Sequence, residues 1–165
     1  MIVAYDLDNG IGKDNILPWY FLEDLRRFSK LTCGQGNNAI IMGKNTWNSI
    51  PKKPLIKRDN LILSTTLNLE EGSPHNTYIK TFSNIEAINR FCEEQKYETV
   101  WIIGGSKIYE QYIDYNKLNW VYVTQINKKY ECDVRFPDIS SWKIVSKQQV
   151  MLNNDIFGHY QIYEK

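Results

Sequence analysis

Histidine is scarce in this chain of 165 residues: only His75 and His159 are present. A metal centre built on imidazoles is therefore not expected. Cys33, Cys92 and Cys132 are odd in number and far apart. That spacing argues against a disulfide framework or a thiolate cluster, and for a reducing compartment, taken here as cytoplasmic. No apolar run reaches transmembrane length. The apolar start Met1–Tyr5 is very short and Asp6 follows it, so no signal peptide is expected. A net charge of +1 offers no global field to recruit nucleic acid or a membrane surface. The nearest basic run, Lys52 to Arg58, reads for most of its length as a solvated loop. The GxGxxG, GxSxG, HExxH and Walker signatures are all missing. So are internal repeats, low-complexity segments and linkers.

What the chain does have is a core. Hydrophobic residues make up 42%, enough for one compact domain over residues 1–165. Ile2–Tyr5, Ala39–Met42, Asn60–Ser64 and Thr99–Ile103 read as short buried strands, with a further one over Thr77–Lys80. Helices are predicted over Leu17–Leu31, Lys44–Ile50, Ser83–Glu94 and Ser106–Ile113, with Ser83 as the cap of the third. Trp120–Ile126 is a long β-rich stretch. Trp142–Leu152 and Ile156–Tyr163 flank Asn153-Asn154-Asp155 as a hairpin. The expected class is α/β, with a mostly parallel central sheet of about eight strands, a C-terminal antiparallel hairpin, and about four flanking helices.

The Leu17–Leu31 stretch carries the first chemical signal. At about 100° per residue, Phe21, Leu25, Phe28 and Leu31 share one face. Glu23, Arg26, Arg27 and Lys30 fall on the other. Asp24 breaks the pattern by pointing between Phe28 and Leu31. An ionised carboxylate is rarely buried alone, because desolvation costs several kcal/mol. Asp24 is either a helix-start acid favoured by the dipole or a carboxylate set in an apolar cleft for a purpose. It leads the acids of the chain for proton transfer. Thr124 is a hydroxyl within an apolar strand, either a satisfied strand threonine or a partner for such an acid. Arg58, just before a strand, is either a surface residue or a fork for a substrate carboxylate.

Two places share a second pattern. Ala39–Met42 runs into Gly43 and a helix; Thr99–Ile103 runs into Gly104-Gly105 and a helix. Glycine permits the tight turn, and a helix start offers free N–H groups to an anion. Lys44 and Lys107 add a cation at each. One such turn is ordinary; two suit the phosphates of a dinucleotide. The third strand ends in Ser64-Thr65-Thr66, hydroxyls without an acid. That favours a 2′-phosphate, hence NADP over NAD.

At this point a family comes into view. The string from Gly10 to Trp19, with Asp24 and Phe28, resembles the start of dihydrofolate reductase. Ile41–Ile50, Arg58–Ser64, Ile103–Tyr109 and Asp133–Pro137 resemble four further signatures of that family, in family order. The resemblance implies hydride transfer from NADPH to 7,8-dihydrofolate, yielding tetrahydrofolate for one-carbon metabolism. Asp24 would bind the pterin, with Thr124 hydrogen-bonded to it and Trp19 holding an associated water. Ile2, Val3, Ala4, Leu25 and Phe28 would line the substrate pocket with Ile50, Leu55, Ile103 and Tyr109. Arg58 would grip the glutamate tail.

For the cofactor, the resemblance implies Gly43, Lys44, Asn45 and Thr46, then Leu63, Ser64 and Thr65. It adds Ile103, Gly104, Gly105, Ser106, Lys107, Ile108 and Tyr109, together with Ala4. The stretch from Asp6 to Leu17 would be a mobile lid contributing Ile11, Gly12, Asn15 and Leu17. The Gly104-Gly105 bond would be cis. Diaminopyrimidine and pteridine antifolates would be ligands, and the protein would act as a monomer. Ser106 stands where the family usually has a third glycine, Lys44 where arginine is common, and Cys132 and Val134 depart from the usual Gly-Asp-Thr. A riboflavin-pathway reductase of the same fold is disfavoured by the Leu17-Pro18-Trp19 and Asp24 string. A nucleotide-binding module without catalysis would need neither Asp24 nor Arg58.

Overall fold

A computed structural model describes residues 1–73 and 77–165; His75, one of the two histidines, lies outside the described residues. The chain forms two compact units, Met1–Phe28 with Ser106–Lys165, and Ser29–Gly105. Four helices and ten strands are described. The class is α/β, as expected, with a mixed arrangement of strands.

The discontinuous unit holds a four-stranded sheet in the order β1-β7-β10-β9. Its strands are β1 (Ile2–Tyr5), β7 (Trp120–Ile126), β9 (Lys143–Met151) and β10 (Phe157–Glu164). β1 runs parallel to β7, and β10 antiparallel to both β7 and β9. One rung of this sheet matters below: Ala4 pairs with Thr124, and Thr124 with Tyr160. Paired residues point to the same face, so the three side chains are neighbours. A small ribbon pairs β2 (Gly10–Gly12) with β8 (Val134–Arg135). α4 (Ser106–Ile113) completes the set.

The contiguous unit holds a second sheet, all parallel, in the order β5-β4-β3-β6, with β5 at Ile79–Phe82. β3 (Asn38–Gly43) is buried at all six positions, β4 (Asp59–Leu63) at its three central ones, and β6 (Thr99–Ile102) at Trp101 and Ile102. Parallel strands covered on both faces read as continuous apolar runs rather than alternations. That is why these were legible. α2 (Lys44–Ser49) and α3 (Ile85–Gln95) belong to this unit. The eight longer strands are thus shared between two ladders.

Most boundaries shift by a residue or two from expectation, and three of the differences have a visible cause. The first helix, α1, spans Leu22–Cys33 rather than starting at Leu17. Phe21 is buried in a cluster with Ile126 and Leu152, and Trp19 packs against the same cluster. Those contacts hold residues 17–20 off the helix, which begins with the Leu25 N–H donating to the Phe21 carbonyl. β5 is Ile79–Phe82, two residues later than Thr77–Lys80. Thr77 is instead an anchor, its hydroxyl accepting from the Lys57 N–H at 3.1 Å. The cap of α3 is Asn84, not Ser83: its side chain accepts from the Ala87 N–H at 2.8 Å.

Candidate active site

In the discontinuous unit the site is built on α1 and the Thr124 rung. The Thr124 hydroxyl donates to the Asp24 carboxylate at 2.6 Å, and Thr124 is buried. Burial raises the Asp24 pKa above that of a free aspartate; the Thr124 hydrogen bond and the Arg27 charge pull part of that rise back. Asp24 thus stands in the first turn of α1 and is at the same time half-buried and hydrogen-bonded across to β7. Trp19 lies edge-on to Tyr130, ring centroids 5.2 Å apart. Ile2 and Val3 are buried and Ala4 is half-buried. Tyr109 is buried, and its hydroxyl donates to the Ile2 carbonyl at 2.9 Å, which ties α4 to β1. Phe28 is half-buried, whereas Leu25 is 41% exposed. The helix face is therefore rotated from the simple pattern. Arg27, assigned above to the solvent side, turns inward. Its guanidinium carbon sits 4.1 Å from the centroid of the Tyr160 ring, and one N–H donates to Thr124 Oγ1 at 3.4 Å.

The segment from Asp6 to Leu17 is more ordered than a bare loop. Buried Asp6 accepts from the N–H groups of Asp8, Gly10 and Tyr130 at 2.8–2.9 Å. Lys13 and Ile16 exchange two backbone hydrogen bonds at 3.0 Å, closing a turn over Asp14 and Asn15. Both turn residues have positive φ, 51° and 62°, a conformation that Asp and Asn tolerate well. Ile11 and Gly12 are buried, and Asn15 and Leu17 are exposed. Despite Cys132 and Val134, Asp133 holds this segment from both sides. Its carboxylate accepts from the Asp14 N–H at 2.9 Å, and its own N–H donates to the Gly12 carbonyl at 3.0 Å.

In the contiguous unit the two glycine turns meet, because β3 and β6 are neighbours. The Gly43 N–H donates to the Gly104 carbonyl at 2.9 Å, and the Ile103 N–H to the Ile41 carbonyl at 2.9 Å. The Gly104-Gly105 bond is cis, and Gly104 has a φ of 111°, open to glycine alone at little cost. Gly105 lies close to Thr46: a Cβ there would sit 3.6 Å from the threonine hydroxyl. Lys44 donates to the Thr66 hydroxyl at 2.9 Å. Ser64 Oγ accepts from the N–H groups of Thr66 and Leu67 at 3.2 and 2.9 Å, shaping the turn after β4. Leu63 is half-buried, and Asn45 and Thr65 are exposed. An ammonium and several hydroxyls thus gather at the carboxyl ends of adjacent parallel strands, a phosphate-binding chemistry.

Arg58 is buried. It donates to the Ile56 carbonyl at 3.0 Å and to the Ser29 carbonyl at 3.4 Å, and it is hydrogen-bonded to Thr32 near the C-terminal end of α1. Burial lowers its pKa without threatening its charge. Buried Asn60 fixes the preceding loop, accepting from the Leu55 N–H at 3.0 Å and donating to the Leu55 carbonyl at 2.8 Å. Leu55 and Ile50 are half-buried.

A family model for dihydrofolate reductase matches residues 1–165. The chain belongs to the dihydrofolate reductase family. It is 35% identical to the dihydrofolate reductase of Drosophila melanogaster over 178 residues, covering 100% of this chain and 96% of the relative. Similarity to the viral dihydrofolate reductase of Saimiriine herpesvirus 2 (strain 488) is 35% over 180 residues, covering 99% and 83%. A bifunctional dihydrofolate reductase-thymidylate synthase of Plasmodium berghei (strain Anka) is 38% identical over 136 residues, covering 78% of this chain and 23% of that protein. Within this family member, the helix α4 begins at Ser106, with Lys107 exposed and Ile108 buried. Sequence reasoning missed Arg27 and Asp6, while Thr66 stands among the hydroxyls it read at the end of β4. The i,i+3 spacing of Asp24 and Arg27 was the available signal for the first. Asp6 had none, because its three donors come from backbone.

Proposed function

We propose that the chain reduces 7,8-dihydrofolate to 5,6,7,8-tetrahydrofolate with NADPH, acting as a monomeric single domain. The observation that carries this reading is the Asp24 carboxylate, half-buried and held by the Thr124 hydroxyl, in a chain matched to the family from end to end. A carboxylate so placed can accept two hydrogen bonds from the amino and ring N–H groups of a pterin and fix the ring's orientation. Proton delivery to N5 then runs through a water that Trp19 helps to hold. Arg58 grips the α-carboxylate of the glutamate tail, and Leu25, Phe28, Ile50 and Leu55 contribute apolar lining. Diaminopyrimidine antifolates bind the same carboxylate in their protonated form.

The donor set of the contiguous unit fits the cofactor. Gly43, Gly104 and Gly105 allow close backbone approach, and Thr46 and Ser64–Thr66 supply hydroxyls. The Lys44 ammonium is oriented by Thr66 and suits a 2′-phosphate. NADPH supplies the hydride; the protein supplies orientation and electrostatics. The free cysteines suit a reducing, cytoplasmic setting. The test is NADPH oxidation on adding dihydrofolate, with kcat/KM compared for NADPH and NADH. The native protein should oxidise NADPH and prefer it, and Lys44→Ala should lose most of the preference. Absence of oxidation would overturn the activity; equal use of both cofactors would overturn the 2′-phosphate assignment.

A further inference from the structure

Arg27 is a residue that the pattern of α1 assigned to solvent and that the structure turns into the site. It does two things there. Its guanidinium lies over the Tyr160 ring at 4.1 Å, a cation–π distance, and that ring stands on the same rung as Thr124. It also donates to Thr124 Oγ1 at 3.4 Å. A guanidinium has no acceptor. The Arg27 bond therefore uses a lone pair of the threonine oxygen and leaves the hydroxyl proton for a different partner. That partner is Asp24, 2.6 Å away. The three groups form a directed chain from Arg27 through Thr124 to Asp24, in which each bond polarises the next.

We propose that Arg27 is a positioning residue of the carboxylate site, fixing the Thr124 hydroxyl as a donor to Asp24 and keeping Asp24 ionised. This rests on the reading of Asp24 as the substrate-binding carboxylate. The other groups facing the pair are Tyr122 of β7, Tyr160 of β10 and Glu23 of α1. Glu23 is already paired with Arg26 on the exposed side. A phenol carries no positive charge in either form, so Arg27 is the cation among these groups. Its position opposes the burial that raises the Asp24 pKa. The stack on Tyr160 holds the guanidinium in place, which a free surface arginine would lack.

The experiment is a carboxyl-carbon NMR titration of Asp24 in the ligand-free full chain, native and variant. Arg27→Met keeps the apolar stem and removes the charge and the donor. The Asp24 midpoint should rise by about one unit or more, the usual scale for losing an adjacent arginine. Arg27→Lys keeps charge without the fork or planar stack, and should give an intermediate midpoint; it also serves if the methionine variant does not fold. Unchanged midpoints in the folded variants would overturn the proposal. Because no substrate is present, that outcome is separable from failure of the reductase reading, which the NADPH assay of the native protein tests. In active enzyme the acid limb of kcat/KM against pH should move with the NMR midpoint, whereas a merely structural arginine would lower the rate without moving the limb.

Discussion

At the scale of single residues, Asp24 sets function against stability. Its pKa is raised by burial, so the native state binds its proton more tightly than the unfolded chain does. The stability that this contributes is fully present below the pKa of a free aspartate and is lost as pH rises through the folded value. At neutral pH the ionised group therefore costs stability. Asp24→Asn should be more stable than the native protein at neutral pH, with the gain fading in acid; thermal unfolding across a pH series reads this directly. The same variant should lose hydride transfer most at neutral pH and least in acid, where solvent can protonate the pterin. A variant with native single-turnover rates at neutral pH would remove Asp24 from the chemistry. Asp24 was legible as an acid inside an apolar arc. Arg27 was not, because charge patterning counts a cation as solvent-facing unless its aromatic platform, here Tyr160 on a distant strand, is known.

Among the elements, the ribbon of β2 and β8 escaped sequence reading altogether. Its strands have three and two residues, too short for any alternation to register, and their pairing is long-range. By contrast β1 and β7 carry the boundaries expected of them, and the hairpin does turn at Asn153-Asn154-Asp155, with its flanking strands stopping one residue short of the turn on each side. What holds the ribbon's approach is close packing at Gly10. A Cβ there would meet Cys132 Cβ at 2.5 Å, its Sγ at 2.7 Å and Asp6 Oδ1 at 2.9 Å. Gly10→Ala should destabilise by roughly 1–3 kcal/mol, the scale of overpacking. In a Cys132→Gly background most of that loss should disappear, since the two nearest atoms are gone. A double-mutant cycle from urea midpoints measures it. Additive effects would show that the Asp6 carboxylate, not Cys132, forbids a side chain at Gly10.

At the scale of the molecule, one unit is an uninterrupted segment and the other is assembled from both ends of the chain. Closing β3 onto β6 joins Asn38 to Thr99, whereas closing β1 onto β7 joins Ile2 to Tyr122. The second loop is about twice the first, and each doubling adds only about 0.6 kcal/mol of closure entropy. The amides of β3 should thus gain protection before those of β1 in pulse-labelled hydrogen exchange of the full chain, by a factor of a few rather than by orders of magnitude. Earlier protection of β1 would show that topology does not set the order. Strand identities were legible because burial on both faces leaves an apolar run; their division into two ladders was not, because nothing local in a strand records its neighbours.

β9 is the outer strand of its sheet, and nearly all of its side chains are exposed, including Ile144, Val145 and Met151. An outer strand with free ladder positions and apolar side chains is a template on which another chain can pair. Lys143 and Lys147 interrupt that template, lying opposite Glu164 and Gln161 on β10. Pairing two such strands edge to edge adds these ammonium groups to one ladder, where like charges in or near register repel. A neutral replacement of both lysines should therefore raise the tendency to precipitate at high concentration, read by light scattering against the native protein.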